Sequence, residues 1–178
     1  MDTLITQIDQ ITKKFVNSFA PLNGEQLNWK PGSGTWSIAQ NIEHLIIVNE
    51  SYYPVIESIR HIDYTPPFIS KLNFIVSLFG KIILKSVSPE RHRKTKTFPI
   101  WEPAVSEISP DILKRFENHQ EALKKIVTNS IDLISNGIII SSPANKNVVY
   151  KLETAFEIIV NHEQRHYNQA KEVLDKLP

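Results

Sequence analysis

Two histidines near the end of the sequence are its strongest indication of chemistry. His162 and His166 lie four residues apart in a stretch with the apolar periodicity of a helix. Side chains at this spacing project from one helix face about 6 Å apart, and two imidazoles so placed can hold one metal ion. An isolated pair of this kind is more often a pair of surface histidines, but Phe156, Ile159 and Val173 direct this one toward a core. Buried ring nitrogens need partners, so the pattern favours a metal site.

The same segment also spells the His-Glu-x-x-His pattern of zinc peptidases, in which the glutamate is the general base. Those enzymes generally take a third ligand from further along the chain, yet only 12 residues follow His166. The two acids in that tail do not align with the histidine pair on a continuous helix. We therefore expect the third ligand to come from earlier in the sequence. Glu163, turned about 100° from His162, should point away from the ion.

Among the four remaining histidines, His44 is the best third ligand. It follows Ser37, the predicted cap of a second helix, by seven residues and lies beside the apolar Leu45 and Val48. We expect the other three to be surface residues: His61, His92 and His119. Three histidines without a fourth protein ligand leave one coordination position open, as in catalytic rather than structural metal sites.

Four long helices are predicted to position these residues. The first ends before Pro21, and a loop rich in proline and glycine then occupies residues 20–36. Ser37 and Gln40 form a capping box for the second helix, which we expect to continue to about Ile62. The third helix runs from Ser109 to about 129 and the fourth from about 152 to 177. The chain is thus predicted to be all-α, a four-helix bundle forming one domain over residues 1–178.

A long connection, residues 63–108, separates the second helix from the third. It contains an apolar run, Leu72–Leu84, of 13 residues including Lys81, well short of the ~20 residues of a membrane-spanning helix. We expect one short helix here, buried or facing a partner, with an interfacial membrane helix as the lesser alternative. The basic segment 91–96 is expected to be a solvated loop. Residues 130–150 are expected to be a connection that includes a short extended piece.

Composition limits the partners and the chemistry. Twenty Lys and Arg against 19 Asp and Glu give a formal net charge of +1, which suggests neither a nucleic-acid nor a membrane partner. The absence of cysteine leaves nitrogen and oxygen as metal ligands, and any reacting thiol must come from outside the protein. No secretory signal is visible at the start, so a cytoplasmic location is expected.

Two segments resemble the DinB-like family. Trp36–Leu45, preceded by Leu27–Pro31, is similar to the start of the second helix in that family, and His162–Gln169 is similar to its last-helix metal motif. The resemblance implies an up-down-down-up four-helix bundle, usually a homodimer, in which three histidines bind nickel, zinc or another divalent ion. The positions that match are His44, His162 and His166. The connection over residues 63–108 is longer and more apolar than in the simplest members.

The resemblance also implies a function. Relatives of this fold include thiol-dependent transferases and isomerases, some of which use mycothiol or bacillithiol. We therefore expect a metal-dependent, S-transferase-like enzyme that joins a low-molecular-weight thiol to a small electrophilic molecule. Two alternatives stay open: a metal-dependent hydrolase acting at the same site, and a non-catalytic metal-stabilised module for binding or stress response. No catalytic side chain is assigned from the sequence.

Overall fold

The computed structural model describes residues 2–61, 65, 67–90 and 97–178. These residues form a mainly helical structure with one small two-stranded antiparallel sheet. Within these ranges, no helix combines the length and the hydropathy needed to span a lipid bilayer. The elements are α1 (Asp2–Phe19), α2 (Gly24–Asn28), α3 (Ile38–Glu50), α4 (Tyr53–Ser58), α5 (Asn73–Val87), α6 (Ile112–Asn129), α7 (Ile131–Ser135), β1 (Ile139–Ser142), β2 (Asn145–Lys151) and α8 (Leu152–Leu174).

The predicted start of the second helix is confirmed, whereas the third helix begins at Ile112, later than the predicted Ser109 and without a side-chain cap. Ser37 caps α3: its Oγ accepts a hydrogen bond from the Gln40 backbone N–H at 3.1 Å, and its own N–H donates to Gln40 Oε1 at 3.2 Å. This reciprocal pair satisfies two backbone donors that a helix start otherwise leaves unpaired. α3 therefore begins at a fixed residue, which sets the position of His44 along the bundle.

The prediction that the second helix continues to Ile62 is wrong. α3 ends at Glu50, and a separate short helix, α4, begins at Tyr53 after a turn. Pro54 explains the break, because proline has no N–H to donate and its ring clashes with the carbonyl four residues earlier. At the turn, the Trp101 indole donates a hydrogen bond to Ser51 Oγ at 3.2 Å, which brings the Trp101 segment beside α3.

The long helices pack directly on one another. α1 contacts α6 and α8, and α3 contacts the same two helices. Phe15 lies at the centre of one junction, with ring centroids 5.6 Å from Phe19, 4.7 Å from Phe116 and 5.4 Å from Tyr167. Burying a side chain of this size contributes about 1.5–3 kcal/mol, so these aromatic contacts fix how the helices meet.

The connections carry the remaining elements. The apolar run predicted to be a short helix is confirmed as α5, and the extended piece predicted within 130–150 is the β1–β2 hairpin, where Ile140 pairs with Tyr150. Gly80 allows α5 to approach α8 closely, since a Cβ there would lie 3.2 Å from Thr154 Cγ2. The basic segment 91–96, including His92, lies outside the described residues.

Candidate metal centre

The structure brings the three predicted histidines together. His44 lies in the middle of α3, and His162 and His166 lie on the adjoining face of α8. Their ring centroids are 4.5 to 5.1 Å apart, and one ring nitrogen from each lies within 4.8 Å of the other two. His44 and His166 are buried, whereas His162 is partly exposed.

Hydrogen bonds fix the ring orientation of two of these histidines. His44 Nδ1 lies 2.7 Å from the Trp101 carbonyl oxygen, which can only accept, so Nδ1 carries the proton and Nε2 keeps its lone pair. His166 Nδ1 lies 2.8 Å from Asn41 Oδ1. The Asn41 amide is held in that orientation because its Nδ2 donates to the Ser37 carbonyl at 2.8 Å. Metal-binding histidines characteristically donate their second ring N–H in this way.

All three imidazoles are held neutral. Burial lowers the pKa of His44 to about 4 and lowers the pKa of His162 and of His166 well below the ordinary value. For His162 and His166, charge repulsion from the neighbouring histidines and from Arg165 adds to the effect of burial. Near neutral pH the ring nitrogens that do not donate hydrogen bonds therefore present lone pairs, which is the form that binds a metal ion.

Trp36 covers one side of the cluster. Its ring lies 4.8 Å from the His44 ring and stacks on the His166 ring at 5.9 Å with an interplanar angle of 23°. Trp36 directly precedes the cap residue Ser37, so the defined start of α3 also places this indole. The aromatic contact limits the access of water on this side.

The histidines line a cavity of about 600 Å³, within the ~300–1,000 Å³ typical of small-molecule sites. Much of its wall is apolar or aromatic and comes from α3 and its flanking residues, α5, β2, α8 and the segment around Trp101: Trp36, Val48, Tyr52, Ile83, Val87, Phe98, Trp101, Val148, Tyr150 and Ile158. The lining also includes exposed charged residues, among them Glu102, Glu172 and Lys176. The arrangement can therefore enclose a small molecule beside a histidine cluster.

Glu163 lies away from this cavity, on the other side of α8. Its side chain is fully buried, and Oε1 accepts hydrogen bonds from Asn49 Nδ2 at 2.8 Å and from Gln120 Nε2 at 2.9 Å. Burial raises the pKa of Glu163 to about 8. This orientation agrees with the expectation from helix geometry, and it removes the general base that the peptidase interpretation requires.

The prediction that His119 is a surface residue is wrong. Its side chain is buried, with Nε2 3.2 Å from Asn49 Nδ2 and Nδ1 3.3 Å from the Tyr53 hydroxyl. Burial lowers the pKa of His119 to about 4. The sequence held the necessary signal, since Phe116 and Leu123 place His119 on the apolar stripe of α6, but its polar neighbours in sequence obscured it. His61 is exposed, as predicted.

Several residues of the site were not predicted from the sequence. Asn41, Trp36 and the Trp101 carbonyl all contact the histidine cluster. Asn41 lies three residues before His44, on the same helix face, so the spacing was a possible signal. The Trp101 contact uses a backbone carbonyl, and a backbone group leaves no mark in the sequence.

Comparison with known proteins identifies a family. The family model of the DinB superfamily matches residues 7–170, more than nine-tenths of the chain. No curated protein and no solved structure shows significant similarity to it. The match includes α3 and all three histidines, in agreement with the resemblance seen in the two sequence segments. On this evidence the chain belongs to the DinB superfamily.

Proposed function

We propose that this protein is a divalent-metal-dependent enzyme of the S-transferase type, which joins a low-molecular-weight thiol to a small electrophile. The observation that supports this most strongly is the state of the three cavity histidines. His44, His162 and His166 are neutral, and two of them hold their Nδ1 hydrogens on protein acceptors. That leaves Nε2 of His44 and of His166 as the donor atoms for a metal.

The donor set fits a divalent ion. With no cysteine in the chain and three neutral imidazoles in the cluster, zinc or nickel is the expected metal. When bound, such an ion supplies Lewis-acid chemistry and lowers the pKa of a coordinated thiol or water. Because imidazoles carry no negative charge, the double positive charge remains available to attract an anionic sulfur.

The residues of the chain contribute orientation and exclusion of water. The Trp101 carbonyl and Asn41 hold two of the imidazoles in one tautomer, and Trp36 shields them. The apolar cavity wall binds the electrophile, while the exposed Glu172 and Lys176 are suited to the polar part of a thiol cosubstrate. A hydrolytic reaction is less well supported, because Glu163 is turned away from the cavity.

We also propose that α1, α3, α6 and α8 form an up-down-down-up bundle. Two helix pairs are parallel, because residue numbers in both helices increase in the same direction along their contacts. α1 and α8 are joined by Lys14–Gln164 and Ser18–Tyr167. α3 and α6 are joined by Glu43–Arg115 and Asn49–His119. Two other helix pairs are antiparallel, because residue numbers increase along one helix as they decrease along the other. α1 and α6 are joined by Asp9–Lys124 and Phe15–Phe116. α3 and α8 are joined by Asn41–His166 and Asn49–Glu163. α5 and the segment around Trp101, which lie between α4 and α6 in the sequence, are then parts of an insertion that line the cavity. A homodimer remains a prediction from the resemblance.

Cobalt substitution tests the proposed function. A cobalt–thiolate bond gives a near-ultraviolet charge-transfer band that this cysteine-free protein cannot generate alone. Titration of the cobalt protein with small thiols should raise a saturable band that is absent in the His162→Ala variant. If cobalt stays bound and no thiol raises the band, the S-transferase proposal is wrong. Turnover of an electrophile panel with the active thiol then distinguishes an enzyme from a non-catalytic module.

A further inference from the structure

The helix α5 presents two apolar faces with different surroundings. On its inner face Val76 is 4% exposed, Gly80 packs against Thr154, and Ile83 and Val87 line the cavity. These residues follow each other at intervals of three or four, the spacing of one helix face. The inner face therefore explains how α5 is attached to the rest of the protein.

The outer face of α5 is apolar as well, and it is exposed. Phe74, Leu78 and Ile82 recur every four residues and are 69%, 51% and 51% exposed. On a helical projection they share an arc of about 100° with Lys81 and Lys85, opposite the inner face. A helix held only by its inner face does not need these three side chains to be apolar, so their exposure calls for a partner.

The turn before α5 extends this surface. Phe68 is 78% exposed and Leu72 is 40% exposed. The Lys71 ammonium lies over the Phe68 ring, 5.4 Å from its centroid. We call the whole set the outer α5 surface; it comprises Phe68, Lys71, Leu72, Phe74, Leu78, Lys81, Ile82 and Lys85.

Charge indicates which partner fits. Residues 68–87 contain three lysines and no acidic residue, and in the part of the chain that the structure describes neither Lys81 nor Lys85 forms an ion pair. Two copies packed through this surface about a two-fold axis would bring lysine against lysine, which disfavours self-association here. An anionic partner with an apolar interior complements both features.

We propose that the outer α5 surface docks on the surface of an anionic phospholipid membrane. The phenylalanine, leucine and isoleucine side chains insert at the boundary of headgroups and acyl chains, while the lysine stems keep their ammonium groups among the lipid phosphates. The sequence alone favours burial or a protein partner for the apolar run, with an interfacial membrane helix as the lesser alternative, and its net charge does not suggest a membrane partner. Docking places the cavity wall formed by Ile83 and Val87 about one helix diameter, ~10 Å, from the lipid.

Vesicle cosedimentation of the chain of residues 1–178 tests this proposal. The probes are vesicles of phosphatidylcholine alone and of phosphatidylcholine mixed with phosphatidylglycerol. We expect binding to the mixed vesicles that weakens as salt is raised, because salt screens exposed charges. A Lys81→Gln, Lys85→Gln variant should bind the mixed vesicles about 25-fold more weakly, since each surface lysine contributes about fivefold to anionic membrane affinity.

A second pair of variants tests the apolar contribution. Phe74→Ser combined with Leu78→Ser should reduce binding to mixed vesicles at least about tenfold. The matched control is Val105→Ser combined with Ile131→Ser, two exposed apolar residues outside α5 (93% and 45% exposed), and it should bind like the unmodified protein. Circular dichroism and bound metal should be unchanged in both, because all four side chains are exposed.

Two results would overturn the proposal. One is the absence of binding to mixed vesicles at low salt, which would leave the surface for an acidic, apolar protein partner. The other is a concentration-dependent dimer in sedimentation velocity that the Phe74→Ser, Leu78→Ser variant abolishes, which would assign the surface to a second copy of the chain. Neither result depends on the metal proposal.

Discussion

Two polar clusters in the interior use similar residues in different ways. His44, His162 and His166, proposed above to bind a metal and called the metal-site cluster here, line the cavity, and two of them donate ring hydrogens to protein acceptors. The enclosed cluster, Asn49, His119, Gln120 and Glu163, lies between α3, α6 and α8 and is absent from the described lining of that cavity. Both contain buried histidines with a lowered pKa. Burial alone therefore does not mark a ligand; the free ring nitrogens and their access to a cavity do.

The two clusters also differ in how completely the protein satisfies them. In the enclosed cluster, three fully buried oxygens have no hydrogen-bond partner among the residues that the structure describes: Asn49 Oδ1, Gln120 Oε1 and Glu163 Oε2. Glu163 Oε1 accepts both amide donors, so the two amide groups fix α8 to α3 and to α6 through a single atom. The enclosed cluster thus connects three helices, whereas the metal-site cluster has ring nitrogens that remain available for a ligand.

The largest expected effect separates the histidines of the two clusters. His44→Ala should weaken metal binding by more than the 10–100-fold typical of residues around a metal's ligands, because it removes one of three donors. His119→Ala should retain full metal, since His119 contacts none of the three. Elemental analysis after dialysis, followed by competition titration with a chromophoric chelator, measures both. Equal metal loss in the two variants would mean that metal content reports folding rather than ligation.

The sequence was sufficient to predict that His44, His162 and His166 lie together, because each part of that prediction had a local signal. His162 and His166 share a helix face by spacing, and the Ser37 capping box fixes the start of the helix that carries His44. The stripe through Phe116 and His119 gives an equally clear signal, but the polar neighbours Asn118, Gln120 and Glu121 predict a solvated face, and that prediction is wrong for His119.

Other features could not be predicted because they depend on tertiary register. The bond between Asn41 and His166 joins residues 125 positions apart in the sequence, and it exists only when α3 and α8 align correctly. The same is true of the Asn49–Glu163 bond, which joins residues 114 positions apart. Sequence periodicity gives the face of a helix and leaves open which residue on the neighbouring helix it meets.

The next largest effect on metal affinity should distinguish two buried asparagines on α3, Asn41 and Asn49. Asn41→Ala removes the acceptor for His166 Nδ1, and we expect metal affinity to fall about 10–100-fold. Asn49→Ala, eight residues later in the enclosed cluster, should leave metal affinity within about twofold and lower the free energy of unfolding by about 1–3 kcal/mol. Isothermal titration and urea unfolding of both variants check the comparison. If Asn49→Ala weakens metal binding as much as Asn41→Ala does, the clusters act as one unit.

For substitutions of Glu163 we expect a smaller effect, which changes the stability of the fold and leaves metal binding intact. Glu163→Ala leaves the Asn49 and Gln120 amides without their shared acceptor, so the unfolding free energy should fall by about 2–4 kcal/mol while the metal is retained. Glu163→Gln keeps one acceptor oxygen and should cost about 1 kcal/mol. A Glu163→Gln protein that binds metal normally yet loses a demonstrated hydrolase activity by orders of magnitude would restore the peptidase-like interpretation.

The smallest expected effect is the pH dependence that comes from His119. Burial lowers its folded-state pKa to about 4, whereas an unfolded histidine titrates near 6.5. The unfolded chain therefore binds the proton first as pH falls, so stability from this residue is complete above pH ~6.5 and declines toward pH ~4. Between pH 7 and pH 5.5 the decline should be about 1 kcal/mol. The Glu50 carboxylate, 3.7 Å from Nδ1, is largely exposed and offsets little of this.

The metal-site histidines also have lowered pKa values, so they add their own pH dependence to the stability. The contribution of His119 is therefore measured as the difference between the original protein and a variant that lacks this histidine. His119→Gln keeps a polar side chain for Asn49 and Tyr53 and removes the titrating group. Urea unfolding of both proteins at a series of pH values should show a shallower decline for His119→Gln, by about 1 kcal/mol over that interval. Identical declines in the two proteins would show that His119 gains its proton without loss of stability, and hence that the enclosed cluster is accessible to water after all.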